Sequence, residues 1–254
     1  MRLNRIHTDQ ALSPHAEIVL DGGAAQHLLK VLRKHVDDEL IVFCGDGRQF
    51  PARITAVNGR QSLTVMLGSA EEPATESALS IELIQAIGRG ERMDYAIQKA
   101  VELGVSTIQP LFTARTEVRL SGDRVDKRLA HWQQVVIAAC EQSGRVRVPA
   151  VKAPVSLAEI GPAPTASEGA RRFYLHPEAR QAPDDLLTGQ VSRVSVLIGP
   201  EGGLADEEIR HLDTLGFQGL RLGPRVLRTE TAGPATIAML QTLLGDWRPP
   251  EPAA

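Results

Sequence analysis

Val194-Ser-Val-Leu-Ile-Gly-Pro-Glu-Gly-Gly-Leu-Ala-Asp-Glu-Glu208 decides the fold class. Its first five residues are almost wholly apolar, without the alternation of a half-exposed strand, so they read as a strand covered on both faces. Gly199 to Gly203 then break the strand. Asp206, Glu207 and Glu208 follow, acids that suit the positive end of a helix running from Asp206 to Leu215 and stopping at Gly216. The same rhythm extends outward. Downstream, Leu220-Arg-Leu222 reads as a strand and Pro234 to Leu244 as a helix. Upstream lie strands at Leu79–Ile87, Thr107–Phe112 and Arg171–His176, and helices at Arg92–Leu103 and Arg124–Gln142. Alternation of this kind implies an α/β domain whose parallel sheet carries helices on both faces.

The first seventy or so residues have a different rhythm. Glu17–Leu20, Glu39–Phe43, Phe50–Val57 and Ser62–Leu67 are short β-type runs separated by turn signals at Asp21-Gly-Gly23, Gly45-Asp-Gly47 and Asn58-Gly59. Ala24–His35 alone has helical spacing, through Leu28, Leu29, Val31 and Leu32. Many short strands with one helix predict a small β-barrel. The expected division is a barrel over 1–72, a linker over 73–77, a second domain over 78–248 and a frayed tail over 249–254. Ala153 to Gly169, rich in Pro, Ala, Gly and Ser, is expected to be an exposed excursion.

Composition narrows the function. Lys and Arg number 28 against 31 Asp and Glu, a net charge of −3, which excludes a generally basic nucleic-acid coat but not a local basic patch. Of the 28, only Lys30, Lys34, Lys99, Lys127 and Lys152 are lysine; a GC-rich genome explains the arginine bias more simply than recognition does. The two cysteines, Cys44 and Cys140, are not needed as a disulfide in a chain with an average core. No signal-peptide run opens the sequence and no eighteen-residue apolar stretch occurs, so a soluble cytoplasmic protein is expected. Four metal ligands at zinc-site spacing are not present, and no metal is expected.

Ligands of parallel α/β sheets bind beyond the carboxyl ends of the strands. Two loops fall there: Gly199-Pro-Glu-Gly-Gly203, and Leu222-Gly-Pro-Arg-Val-Leu-Arg-Thr-Glu-Thr-Ala232. Either alone is compatible with a tight strand-to-helix turn. A P-loop is excluded, since no Gly-Lys-Ser/Thr follows, and Gly45-Asp-Gly47 lacks the third glycine of a dinucleotide fingerprint. Read without reference to other proteins, the residues give a two-domain α/β protein with a ligand site at these two loops.

Ile198–Glu208 and Leu222–Ala232, taken with Arg92–Val105, Cys140–Pro149 and His27–Arg33 in this order and spacing, resemble the RsmE family of SPOUT-class methyltransferases of small-subunit ribosomal RNA. Departures are small: Asp37-Asp38 stands where the family usually has Gly-Asp, and Leu204 replaces a common aromatic residue. The resemblance implies a PUA-like N-terminal barrel and a SPOUT domain with a parallel sheet and a deep trefoil knot. It also implies a homodimer, S-adenosylmethionine as cofactor, and a uridine of 16S ribosomal RNA methylated at N3.

By match to the family motifs, Leu197, Gly199, Glu201, Gly202, Leu222, Gly223, Leu227, Arg228, Thr231 and Ala232 are expected to hold the cofactor. Glu201 and Glu230 could accept from ribose or amino groups, or cap a helix start. N3 of uridine must lose its proton, and charge on O2 and O4 then needs donors. Glu141 and Arg145, four residues apart, are the expected catalytic pair; they would share a face if the helix continued that far, and Gly144 favours a turn there. Arg145 would steady a uracil oxygen or a phosphate, and Glu141 would orient it or take the proton. Arg2, Arg5, Arg33 and Lys34 are expected to form one RNA patch. Arg115 and Arg119 belong to a second, within a segment (115–147) of net charge +3. Ribose 2′-O methylation by the same fold, or RNA binding without catalysis during ribosome assembly, are the alternatives.

Overall fold

A computed structural model describes residues 3–118, 120–162, 169–183 and 190–247. Arg2, Arg119 and the segment 249–254 lie outside the described residues. The chain divides into two compact units, Met1–Glu76 with Ile137–Val148, and Ser77–Val136 with Pro149–Ala254.

In the first unit, β1 (Asn4–His7), β2 (Glu17–Asp21), α1 (Gly22–Gln26), β3 (Glu39–Phe43), β4 (Gln49–Val57) and β5 (Ser62–Leu67) build a sheet in the order β1-β3-β4-β5-β2. β1 runs parallel to β3 and the other pairs are antiparallel. The sheet curls into a half-barrel, with β1 and β2 as its edges. Ile6, Leu20, Leu40, Phe50, Ile54 and Leu63 fill its concave core. The helix expected over 24–35 is shorter and of two kinds. α1 passes into a π-helical turn, His27–Val31, and the chain leaves helical geometry at Arg33, whose φ is +52°. β1 went unread because Ile6 is its single apolar residue.

In the second unit, β6 (Ser80–Ala86), α2 (Glu91–Glu102) and β7 (Thr107–Phe112) come first. Next is α3 (Asp123–Ser143), whose last turns belong to the first unit. β8 (Ala150–Val151), β9 (Val155–Ser156), β10 (Ala170–Leu175), β11 (Arg193–Ile198), α4 (Asp206–Thr214), β12 (Gln218–Leu220) and α5 (Thr229–Leu244) complete it. The sheet order is β12-β10-β11-β6-β7-β8 with β9 also on β7, and every pairing is parallel. Both faces of its central strands are covered: Leu83 and Val196 are buried on one face, Ile84 and Leu197 on the other, as apolar runs without alternation require. α2 buries Met93, Ala96, Ile97, Ala100 and Val101, the expected face. Ile237 and Leu240 of α5 are fully buried within the chain and serve the core.

Two boundaries differ from the sequence reading. β12 ends at Leu220, so Leu222 lies in the following loop. α5 begins at Thr229, five residues before Pro234, which sits inside the helix. Thr231 and Ala232 therefore belong to its first turn. The excursion at 153–169 contains β9 and a 3₁₀ turn at Leu157–Glu159, with 163–168 outside the described residues.

Candidate functional site

Because the strands are parallel, the carboxyl ends of β6, β10, β11 and β12 share one edge of the sheet. The loops leaving that edge, with the first turns of α2 and α5, enclose a cavity of about 580 Å³, a size usual for small-ligand sites. Its wall runs from Leu175 and His176 after β10, through Ile198 and Gly199 after β11, to Leu222 and Leu227 after β12 and Ala232 of α5.

The loop after β11 is shaped by close approach. A Cβ on Gly199 would lie 3.2 Å from Leu204 Cγ, and one on Gly202 would lie 3.3 Å from Arg115 Cβ. Only the bare backbone fits there without displacement. Arg115 pins the loop: its Nη1 donates to Gly202 O at 2.8 Å and Leu204 O at 3.4 Å. Glu208, in the first turn of α4, accepts from the N–H groups of Ala205 at 2.8 Å and Ala114 at 2.7 Å, satisfying a donor the helix start leaves open. Arg92 donates to Glu201 at 3.0 Å.

Glu230 stands out electrostatically. It lines the cavity, and its Oε2 is buried with no hydrogen-bond partner among the described residues, while Oε1 lies 4.0 Å from Arg228. A buried carboxylate oxygen left unpaired costs stability unless something supplies a donor. Gln85 Oε1, in a buried residue beside the start of α5, is unpaired as well.

Two family models match the chain, an RNA methyltransferase domain over residues 75–241 and an RNA methyltransferase PUA domain over residues 20–66. A ribosomal RNA small subunit methyltransferase E of Buchnera aphidicola subsp. Schizaphis graminum is 33% identical, covering 96% of this chain and 98% of its own. The chain belongs to this RNA methyltransferase family. The enzyme of the same name from Buchnera aphidicola subsp. Acyrthosiphon pisum is 30% identical, covering 97% and 96%. Among solved structures, ribosomal RNA small subunit methyltransferase E of Neisseria gonorrhoeae bound to S-adenosyl methionine is 35% identical. It aligns with a TM-score of 0.87 over 97% of this chain and 100% of its own. A Legionella pneumophila methyltransferase with bound SAM is 38% identical, with a TM-score of 0.88 over the same shares.

Of the residues expected to hold this methyltransferase family's cofactor, Gly199, Glu201, Leu222, Gly223, Leu227, Arg228 and Ala232 line the cavity. Leu197 is fully buried in the core beneath it. Gly202 packs on Arg115, and Thr231 faces solvent, one residue round the helix from Glu230. The sequence reading missed Leu175, His176 and Pro177. Their signal was position, at the carboxyl end of a parallel strand. Arg115, expected on RNA, is committed to loop carbonyls.

Glu141 and Arg145 lie in the first unit and do not pair. The helix ends at Ser143, and Gly144, with φ +94°, turns the chain so that Arg145 leaves the face Glu141 occupies. Arg145 is 6% exposed and donates to Glu76 Oε2 at 2.6 Å. Glu76 Oε1 also accepts from the N–H groups of Val146 and Arg147. Glu141 accepts from the His7 N–H at 2.9 Å, and burial raises its carboxyl above the ordinary range against the opposing pull of His7, His27 and Arg5. Arg5 donates to Arg145 O at 3.2 Å and to Gln49. Arg33 is exposed, and Lys34 reaches Glu39 O at 3.4 Å. Burial pushes the Cys140 thiol up to about 12, so it stays protonated.

Proposed function

We propose that the cavity binds S-adenosylmethionine and that this chain methylates N3 of a uridine in small-subunit ribosomal RNA. The observation that carries the reading is the cavity at the carboxyl edge of the parallel sheet, lined by leucine side chains, bare glycine backbone, four arginines and Glu230, whose Oε2 is buried without a hydrogen-bond partner among the described residues. Those residues fit the cofactor. Leu222, Leu227 and Ala232 offer apolar surface to a purine, and the glycine loops offer peptide edges to its heteroatoms. Glu201 and Glu230 offer acceptors to hydroxyl or ammonium groups and negative charge to a cationic sulfur. Bound there, the cofactor would supply a methyl group already activated by that sulfur.

The chain's own task is to bring the base in, take the N3 proton and stabilise the charge left on O2 and O4. We keep Glu141 as the proton acceptor on the family motif; it lies in the first unit, held by the His7 N–H, and does not line the cavity. Glu76 ties Arg145 to the backbone N–H groups of Val146 and Arg147. The family resemblance further supports a homodimer acting on an assembled subunit.

The test is a methyl-transfer assay with small ribosomal subunits from cells lacking this protein, the RNA then digested to nucleosides and weighed by mass spectrometry. Methyl on the base of uridine is expected. Methyl on ribose, or no transfer, would overturn the reading.

A further inference from the structure

Arg92, Arg115, Arg225 and Arg228 all line the cavity, although the chain as a whole is acidic. Their partners separate them. Arg92 is paired with Glu201 at 3.0 Å, and Arg115 is held by the Gly202 and Leu204 carbonyls. Arg228 keeps only a 4.0 Å contact to Glu230, with its side chain 78% exposed. Arg225 is exposed and makes no hydrogen bond or ion pair with any described residue. Between the last two stands Val226, 82% exposed, the most exposed large apolar side chain among the described residues.

A single exposed valine is unremarked on most surfaces. Here it sits at the mouth of a cavity, flanked by two arginines with unspent donors. The loop carrying it is fixed at its base: Pro224 restricts the backbone, and Arg221 Nε donates to Gly223 O at 3.1 Å. An acceptor base must arrive at this mouth, and the phosphates on either side of it must arrive too. Guanidinium forks match phosphate oxygens, and an apolar side chain covers a base face lifted from its stack.

We propose that the loop 224–228 grips the acceptor RNA strand, Arg225 binding a phosphate beside the target nucleotide and Val226 packing against a base. The inference rests on the methyl-transfer reading above, and it concerns RNA rather than cofactor.

The test compares wild type, Arg225→Ala, Arg225→Lys and Val226→Ala with small ribosomal subunits as acceptor. KM for subunits and kcat are measured across a salt series, and S-adenosylmethionine affinity is measured separately by calorimetry. Arg225→Ala should raise KM about tenfold and flatten the log–log salt slope by about one. Arg225→Lys should restore the slope, Val226→Ala should raise KM without changing it, and cofactor affinity should stay as in wild type. An unchanged KM and slope in Arg225→Ala would overturn the proposal. So would a matching loss of cofactor affinity, or sedimentation showing that Arg225→Ala dissociates an oligomer, which would assign the loop to a second copy. Wild type failing to transfer methyl at all would instead remove the reading beneath it.

Discussion

Arg145 and Glu76 illustrate what a buried charge demands. Each loses most of its hydration, and the 2.6 Å contact plus the backbone donors of Val146 and Arg147 replace it. Removing Glu76 takes from the buried Arg145 guanidinium its 2.6 Å carboxylate partner. Glu76→Ala should therefore cost about 3 kcal/mol in urea unfolding, well beyond a surface ion pair. Glu141 makes a prediction of opposite kind. Burial raises its carboxyl from the ordinary value near 4.5, so across that interval the folded chain holds more proton than the unfolded one. Its contribution to stability therefore falls as pH rises. Glu141→Gln keeps an acceptor for the His7 N–H without the charge. Relative to wild type it should gain in melting temperature as pH rises above that ordinary value of 4.5, while kcat for methyl transfer drops and cofactor affinity does not. A variant with wild-type kcat would clear Glu141 of the proton transfer. The spacing of these two residues and the turn at Gly144 between them were legible in the sequence; their distant partners, His7 and Glu76, were not.

Elements built on strong periodicity were readable, and those set by a distant partner were not. β7 and β11 emerge from their apolar runs, and α2 from its stripe. The start of α5 was misplaced since Pro234 is a natural first-turn residue. Here Gly233, whose missing Cβ lets it lie against Gln85, precedes the proline without the usual clash and the helix runs through it. α5 is also tied across the unit by Gln241, fully buried, which donates to Leu103 O at 3.1 Å and accepts from Ser77 Oγ at 2.9 Å. It thereby closes a carbonyl at the end of α2. Gln241→Leu should cost roughly 2 kcal/mol by denaturant unfolding, an amount its apolar character does not return.

For the molecule as a whole, the parallel sheet and its carboxyl-edge loops could be foreseen from the β–loop–α rhythm alone. The loop after β10 joined them only in three dimensions. Ligand binding to that edge should register in the second unit: with S-adenosylmethionine at a hundred times its Kd, stability should rise by about 2.7 kcal/mol. Amide exchange should slow in the loops after β11 and β12 while the strands of the half-barrel keep their rates. Equal slowing of the half-barrel would count against a site built from the second unit's residues. The first unit has a further consequence, in the order of synthesis. Its sheet is finished by residue 67, yet it takes in residues 137–148, which bring Glu141 to His7 and Arg145 to Glu76. At about 5–20 residues per second, a nascent half-barrel must wait several seconds for its last segment to leave the ribosome, with the Glu76 carboxylate meanwhile reliant on water.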